Sequence, residues 1–141
     1  MTAPGAVQCF TRPVPQWTPP LSSGELATVL DRLHGWTAFD GGALLDDAAT
    51  VLDDVPPAEE DTEELAERLR RHLMRLVHIA VAAETDQIPA AARLIEQART
   101  LRAEDLPGGR WKAVGHLRRM GWTASELLDR LVATRCLREV A

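Results

Sequence analysis

Residues 61–84, DTEELAERLRRHLMRLVHIAVAAE, contain the longest regular apolar pattern of this chain. Apolar side chains recur there at intervals of three and four residues, which is the spacing of one face of an α-helix. Val77 and Val81 widen the stripe, so we expect this helix to contact neighbours on two sides. Asp61 and Glu64 have the spacing of a capping box at its start. The stripe comprises Leu65, Leu69, Leu73, Leu76, Ala80 and Ala83.

Two shorter helices are predicted before this central helix. The first starts at Ser22, which forms a capping box with Glu25, and ends at Gly35. The second follows a turn at residues 40–42 and stops before Pro56, because proline cannot continue a helix. In the first helix, the apolar face that we expect to be buried comprises Leu26, Val29, Leu30 and Leu33. That of the second comprises Leu44, Ala48, Val51, Leu52 and Val55. Its carboxylates, expected on the opposite side, are Asp46, Asp47, Asp53 and Asp54.

Three more helices are predicted after the central one. Asp86 can cap a helix that has Pro89 in its first turn, and residues 106–109 break the pattern. A short helix then runs from Trp111 to Gly121. The inward residues of the helix after Pro89 are Ala91, Leu94, Ile95, Ala98 and Leu101.

The last predicted helix begins at a third capping box. Thr123 and Glu126 form this box, and the helix continues almost to the C-terminus. Its apolar residues are Leu127, Leu128, Leu131, Val132 and Leu137. Nowhere do apolar and polar residues alternate over a useful length, so strands are not expected.

These patterns predict an all-α fold, a compact bundle of five to six helices with an extended, Pro-rich N-terminal arm. The arm is residues 1–20, where five prolines disfavour helices and central strands, and the single bundle domain is residues 21–141. A length of 141 residues suits one compact domain.

Charge is distributed unevenly along the chain. Through Glu67 there are two basic and thirteen acidic residues, whereas from Arg68 onward there are fourteen basic and eight acidic residues, for a net charge of −5. The acidic and basic parts can lie against each other within one chain, or they can pair between chains. The sequence leaves both arrangements open.

The chain has no recognisable catalytic constellation. His72 and His78 are six residues apart, on opposite sides of the predicted central helix, and cannot share a metal ion. His34 and His116 are isolated, and no Glu-x-x-His pair supplies bundle ligands. Phosphate-binding and dinucleotide-binding glycine patterns are also missing. We therefore expect no catalytic residue, no metal and no cofactor.

Five aromatic residues are candidate interface residues: the four tryptophans flank the helices instead of lying within the apolar stripes, and Phe10 lies among the prolines of the N-terminal arm. They can close the ends of the bundle, or they can anchor a partner, since tryptophan is enriched in interface hot spots. They are Phe10, Trp17, Trp36, Trp111 and Trp122.

Nucleic-acid binding is the main alternative. A helix-turn-helix outline is suggested by the short helix, Gly121 and the last helix. The candidate nucleic-acid contacts are Arg118, Arg119, Arg130 and Arg135. The acidic balance of the chain disfavours this alternative, because autonomous DNA-binding domains are usually basic. A third hypothesis, a small-molecule-binding accessory protein, requires an apolar cavity between helices.

Three segments resemble a group of small actinobacterial proteins, chiefly streptomycete, that are labelled natural product biosynthesis proteins. They are LIEQARTLR at residues 94–102, which precedes a Pro-Gly break, LRR at residues 117–119 and LLDRL at residues 127–131. The resemblance extends from Trp17 to the C-terminus and implies a role in secondary metabolism, without naming a reaction. Relatives often have a histidine near the end of the Leu-Leu-Asp segment. This chain has Arg130 there, so no role of that histidine is transferred.

Together these observations predict a non-catalytic helical protein that binds a protein partner or a second copy of itself. No apolar run reaches the roughly 20 residues of a membrane span. Two cysteines, Cys9 and Cys136, are too few for a disulfide framework. With the resemblance, this predicts a cytoplasmic protein without a membrane partner.

Overall fold

The computed structural model describes residues 18, 20–34 and 38–137. Within these ranges it contains five α-helices, two short 3-10 turns at Glu59–Asp61 and Thr85–Gln87, and no β-strand. The helices are α1 (Ser23–His34), α2 (Gly41–Leu52), α3 (Thr62–Ala82), α4 (Pro89–Ala103) and α5 (Arg110–Ala133). The prediction of an all-α fold is confirmed. The predicted Pro-rich arm lies almost entirely outside the described residues.

The chain divides into two units, Met1–Ala38 and Phe39–Ala141. The described part of the first unit contains α1, which begins with the predicted capping box. The Ser22 amide donates to Glu25 Oε2 at 2.7 Å, and the Glu25 amide donates to Ser22 Oγ at 3.3 Å. Hydrogen bonding of the Glu25 carboxylate by Ser22, through the backbone amide first and the side chain second, lowers the pKa of Glu25. The predicted burial of the apolar face of α1 is wrong: Leu26, Val29, Leu30 and Leu33 are all exposed. Periodicity identifies an apolar face, but it does not show whether another element covers that face.

Helix α2 begins earlier than predicted. Asp40 Oδ1 accepts a hydrogen bond from the Ala43 amide at 2.9 Å, so Gly41 and Gly42 belong to the first helical turn and not to a loop. Leu44, Ala48 and Val51 are buried as predicted. Asp46, Asp53 and Asp54 are exposed, also as predicted. Contrary to expectation, Asp47 is buried, whereas Leu52 and Val55 are exposed.

The apolar stripe of α3 is largely confirmed. Its buried members are Leu65, Leu69, Leu73, Leu76 and Ala80, and Val77 widens the buried face. Val81 and Ala83 are exposed, contrary to expectation; Val81 lies in the last turn of the helix, and Ala83 follows its last residue. The predicted capping box is wrong: Asp61 forms no side-chain cap bond, because it ends a 3-10 turn that leads directly into the helix.

Helix α4 begins at Pro89, with Ile88 at the N-cap position. The predicted cap, Asp86, lies in the preceding 3-10 turn instead. The inward face is confirmed, with Ala91, Ile95, Ala98 and Leu101 buried and Leu94 partly buried.

Helix α5 is one continuous helix where the sequence predicted two. Gly121, predicted to end a helix, lies in its interior against α2. Thr123, the predicted cap, is fully buried within the same helix. The helix also ends at Ala133, before Leu137.

The core of the second unit is built around α5. This helix packs against α2, α3 and α4, so it is the central helix in place of α3. Fully buried side chains from all four helices meet there, including Leu44, Leu69, Leu73, Ile95, Leu117, Met120, Leu127 and Leu131.

Candidate interaction face on helix α5

Two of the candidate interface residues lie on the side of α5 that faces solvent. Trp111 is 76% exposed and Trp122 is 49% exposed. They are eleven residues apart, which is about three helical turns, so both point to the same side at a separation of about 16 Å along the axis. The guanidinium carbon of Arg110 lies 5.9 Å from the centre of the Trp111 ring. Phe10, Trp17 and Trp36 lie outside the described residues.

We call this side of α5 the tryptophan face. Gly115 lies between the two indoles, and a Cβ built on it would meet no atom within 4 Å. The face comprises Trp111, Lys112, Gly115, Arg119, Trp122, Glu126, Asp129 and Arg130, all exposed except Glu126, which is partly buried. It therefore combines charges of both signs with two large aromatic surfaces, and aromatic residues are enriched in protein interfaces.

Arg118 has a structural role that the sequence analysis did not predict. Its Nε donates to the Val51 carbonyl at 3.2 Å, and its Nη2 donates to the Asp53 carbonyl at 2.8 Å. These carbonyls lie at the C-terminal end of α2, where backbone acceptors lack partners within the helix. A cation also complements the negative end of the helix dipole there.

The other candidate nucleic-acid contacts do not form one surface with Arg118. Arg119 and Arg130 are exposed and eleven residues apart, so they share one edge of the tryptophan face with Lys112. Arg135 follows the end of α5 with a left-handed φ of 59°. The helix-turn-helix outline is wrong, because α5 is continuous where the turn was expected. DNA binding itself stays a prediction.

A polar cluster that the sequence analysis missed joins α2 to α3. Arg68 Nε donates to Asp47 Oδ1 at 3.1 Å and to Oδ2 at 3.2 Å, and His72 Nε2 lies 2.9 Å from Asp47 Oδ2. Arg68 also pairs with Glu64 at 2.7 Å. The hydrogen bond to Asp47 is the main reason that the pKa of Arg68 is raised. Both partners of Asp47 lie on α3, so we interpret the cluster as a tie between two helices.

The sequence did contain a signal for this burial. Asp47 lies three residues after Leu44 and four before Val51, which places it on the inward side of α2. An acidic residue at a position where the helical periodicity predicts an apolar one indicates that its carboxylate is buried against a basic partner, which here is Arg68.

His116 is the most buried histidine of the described residues, with 1% of its surface exposed. Its Nδ1 lies 3.6 Å from Glu104 Oε2, and its Nε2 is buried without a hydrogen-bond partner. Arg70 is nearby, because its Nη2 donates to the Glu104 carbonyl at 3.3 Å. Burial lowers the pKa of His116, Arg119 and Arg70 add to the effect, and Glu104 opposes it. His116 is therefore a neutral core side chain near neutral pH.

A cleft of about 240 Å³ lies where α3 and α5 begin. Its lining is mixed in character and comprises Glu59, Thr62, Glu63, Leu106, Pro107, Gly109, Arg110 and Ala113. Ligand pockets usually measure about 300–1,000 Å³ and are mainly apolar. The cleft thus gives little support to the hypothesis of a small-molecule-binding protein.

Among the described residues, no group of three or more His, Cys, Asp or Glu side chains is placed to hold a metal ion. None of the helices in that part of the chain has the length and apolar character needed to cross a bilayer.

Comparisons with known proteins place the chain in a family. Neither the curated proteins nor the solved structures contain a match. One family model matches residues 42–136, which include nearly all of α2 and the whole of α3, α4 and α5, but not α1. Because this match covers well over half of the chain, the chain belongs to the family of unknown function DUF6415.

Proposed function

We propose that this protein is a non-catalytic interaction module that associates with a second copy of itself through the tryptophan face of α5. The observation that carries the proposal is the outward position of Trp111 and Trp122 on one side of a helix whose other sides are buried. Exposed indoles leave a large apolar area in water, and tryptophan dominates interface hot spots.

A second copy is the proposed partner because the tryptophan face carries both signs of charge. Lys112, Arg119 and Arg130 are accompanied by Glu126 and Asp129. A surface with both signs can be complementary to itself when two copies are related by a two-fold axis. A partner of uniform charge would instead meet repulsion from part of this face.

The experiment that tests this proposal is light scattering on the full chain over a concentration series. We expect the mass to rise from the monomer value of 15.5 kDa towards the dimer value. Trp111→Ser with Trp122→Ser should keep the protein monomeric, whereas the control Val55→Ser, at a residue that is 74% exposed on another part of the unit, should not. A monomer at every concentration, or a double variant that dimerises like the wild type, would overturn the proposal.

The proposed setting is the cytoplasm of an actinobacterium, where the protein would serve natural-product biosynthesis as an accessory module without a cofactor. The sequence resemblance at residues 94–102, 117–119 and 127–131 supports this part of the proposal. Affinity capture from an actinobacterial lysate, with and without nuclease, tests it. Capture of biosynthetic enzymes that survives nuclease is the expected result, and capture of unrelated proteins only would count against it.

DNA association is the second candidate function. It is supported by the shared edge of Lys112, Arg119 and Arg130, and it is weakened by Glu126 and Asp129 beside them. It predicts duplex binding that falls steeply with added salt, and Arg130→Ala should reduce that dependence. Failure to shift any duplex at low salt would exclude it.

A further inference from the structure

The tryptophan face has a basic residue in the first turn of α5 and two acidic residues towards its end. It is therefore complementary in charge to a second copy of the same face that runs in the opposite direction. Lys112 lies in the first turn and is exposed. Glu126 and Asp129 lie about four turns later on the same side of the helix. When two copies of α5 run in opposite directions, the basic first turn of each copy meets the acidic turn of the other.

The same arrangement provides space for an indole ring. The midpoint between Lys112 and Glu126 along the helix is residue 119. The midpoint between Gly115 and Trp122 is nearly the same, between residues 118 and 119. A two-fold axis near Arg119 that pairs the charges therefore also places Trp122 over the partner's Gly115. Gly115 has no side chain and no atom within 4 Å of its Cβ position, so the indole can approach the helix backbone there.

We infer that two copies pair through antiparallel α5 helices, with Lys112 against the partner's Glu126 and Trp122 against the partner's Gly115. This inference rests on the proposed self-association and specifies its geometry. The two-fold axis makes every contact occur twice, since residue i of one copy meets residue j of the other and the reverse.

The size of this contact predicts its strength. Trp111 and Trp122 together expose about 300 Å² of aromatic surface in each copy. One helix pair buries less than the roughly 1,200–2,000 Å² of a standard stable interface. The dimer is therefore weak, and its dissociation constant must be measured at high protein concentration.

A charge-reversal cycle tests the register. Lys112→Glu and Glu126→Lys each place like charges opposite one another and should each weaken the dimer about tenfold. The double variant should recover wild-type affinity. Within one chain these residues are about 21 Å apart along the helix, so no contact inside the chain can explain recovery. The control Arg93→Glu makes the same charge change at an exposed residue of α4 and should leave the dimer unchanged.

Two further variants examine the centre of the contact. Gly115→Leu should abolish dimerisation without lowering the stability of the monomer, because its Cβ position is open. Arg119→Gln should strengthen the dimer a few-fold, since it removes like charges near the axis. A wild-type dimer that is indifferent to the charge cycle and to Gly115→Leu overturns this register and leaves self-association standing. A wild type that is monomeric throughout overturns both.

Discussion

Gly121 of α5 lies directly against Val51 of α2. A Cβ at residue 121 would be 2.5 Å from Val51 Cγ2 and 3.6 Å from the Ala48 Cα. Val51 is fully buried, and its β-branched side chain has few alternative rotamers with which to move aside. The contact explains why a residue with poor helix propensity lies in the interior of the longest helix.

Replacing Gly121 with alanine should therefore destabilise the protein. Overpacking against Val51 is expected to cost about 1–3 kcal/mol, which exceeds the roughly 1 kcal/mol that alanine gains in helix propensity. The measurement is the free energy of unfolding in urea. The matched control is Gly115→Ala on the same helix, where the added methyl meets no atom within 4 Å and should stabilise the monomer. Equal effects of the two substitutions would contradict the close contact.

Asp47 should contribute measurably to stability because it ties α2 to α3. Asp47→Asn removes the charge that faces both Arg68 and His72, and we expect a loss of about 1–3 kcal/mol in the free energy of unfolding. The neighbouring Asp46 is exposed. Asp46→Asn should therefore change stability by less than about 0.5 kcal/mol. If both variants unfold at the same urea concentration, the cluster is not the tie that we describe.

His116 should make folding sensitive to mild acid. Its pKa is lowered in the folded protein by burial and by Arg119 and Arg70, so the unfolded chain binds more protons below about pH 6.5. The stability contributed by His116 is thus complete above that pH, and it is lost as the pH falls towards the folded-state pKa. Thermal unfolding measured between about pH 7.5 and pH 5.5 should show this decline.

The comparison that isolates His116 uses two glutamine variants. His116→Gln cannot titrate and should flatten the decline in stability over this pH range. His78→Gln alters an exposed histidine and should leave the decline as it is in the wild type. An unchanged pH dependence in His116→Gln would show that other groups cause the effect.

Arg118 should act on stability, whereas Arg119 should not. Arg118→Ala removes both bonds to the C-terminal carbonyls of α2, and we expect a loss of about 1–3 kcal/mol because the donor is charged. Arg119 is exposed, and Arg119→Ala should change the free energy of unfolding by less than about 0.5 kcal/mol. A similar loss in both variants would argue against the capping role of Arg118.

The signals that were correct from the sequence are all local. The capping box of Ser22 and Glu25 needs only neighbouring residues, and it forms as predicted. The apolar periodicity of α3 is also a local signal, because a helix of that length buries the same apolar side whichever neighbour it packs against. Such signals were sufficient for the all-α class, for the existence of α1 to α4 and for most of the buried faces of α2, α3 and α4.

The errors arose where the outcome depends on a distant residue. Gly121 has the appearance of a helix end, but its lack of a side chain serves the contact with Val51. Asp47 was expected in solvent, but it is buried because Arg68 of α3 neutralises its charge and His72 of α3 lies within hydrogen-bond distance of it. The same holds for the candidate site. The tryptophans could be identified from the sequence, but the single helix face on which two of them lie could not.

By itself, the sequence determined the helical class, the approximate positions of α1 to α4 and most of their apolar sides, because helix propensity, capping and periodicity act over a few residues. Only the tertiary structure decided that α5 is continuous and central, that Asp47 and His116 are buried, and that Trp111 and Trp122 remain outside. Burial is a property of the neighbours that pack against a residue, and those neighbours are brought together only when the chain folds.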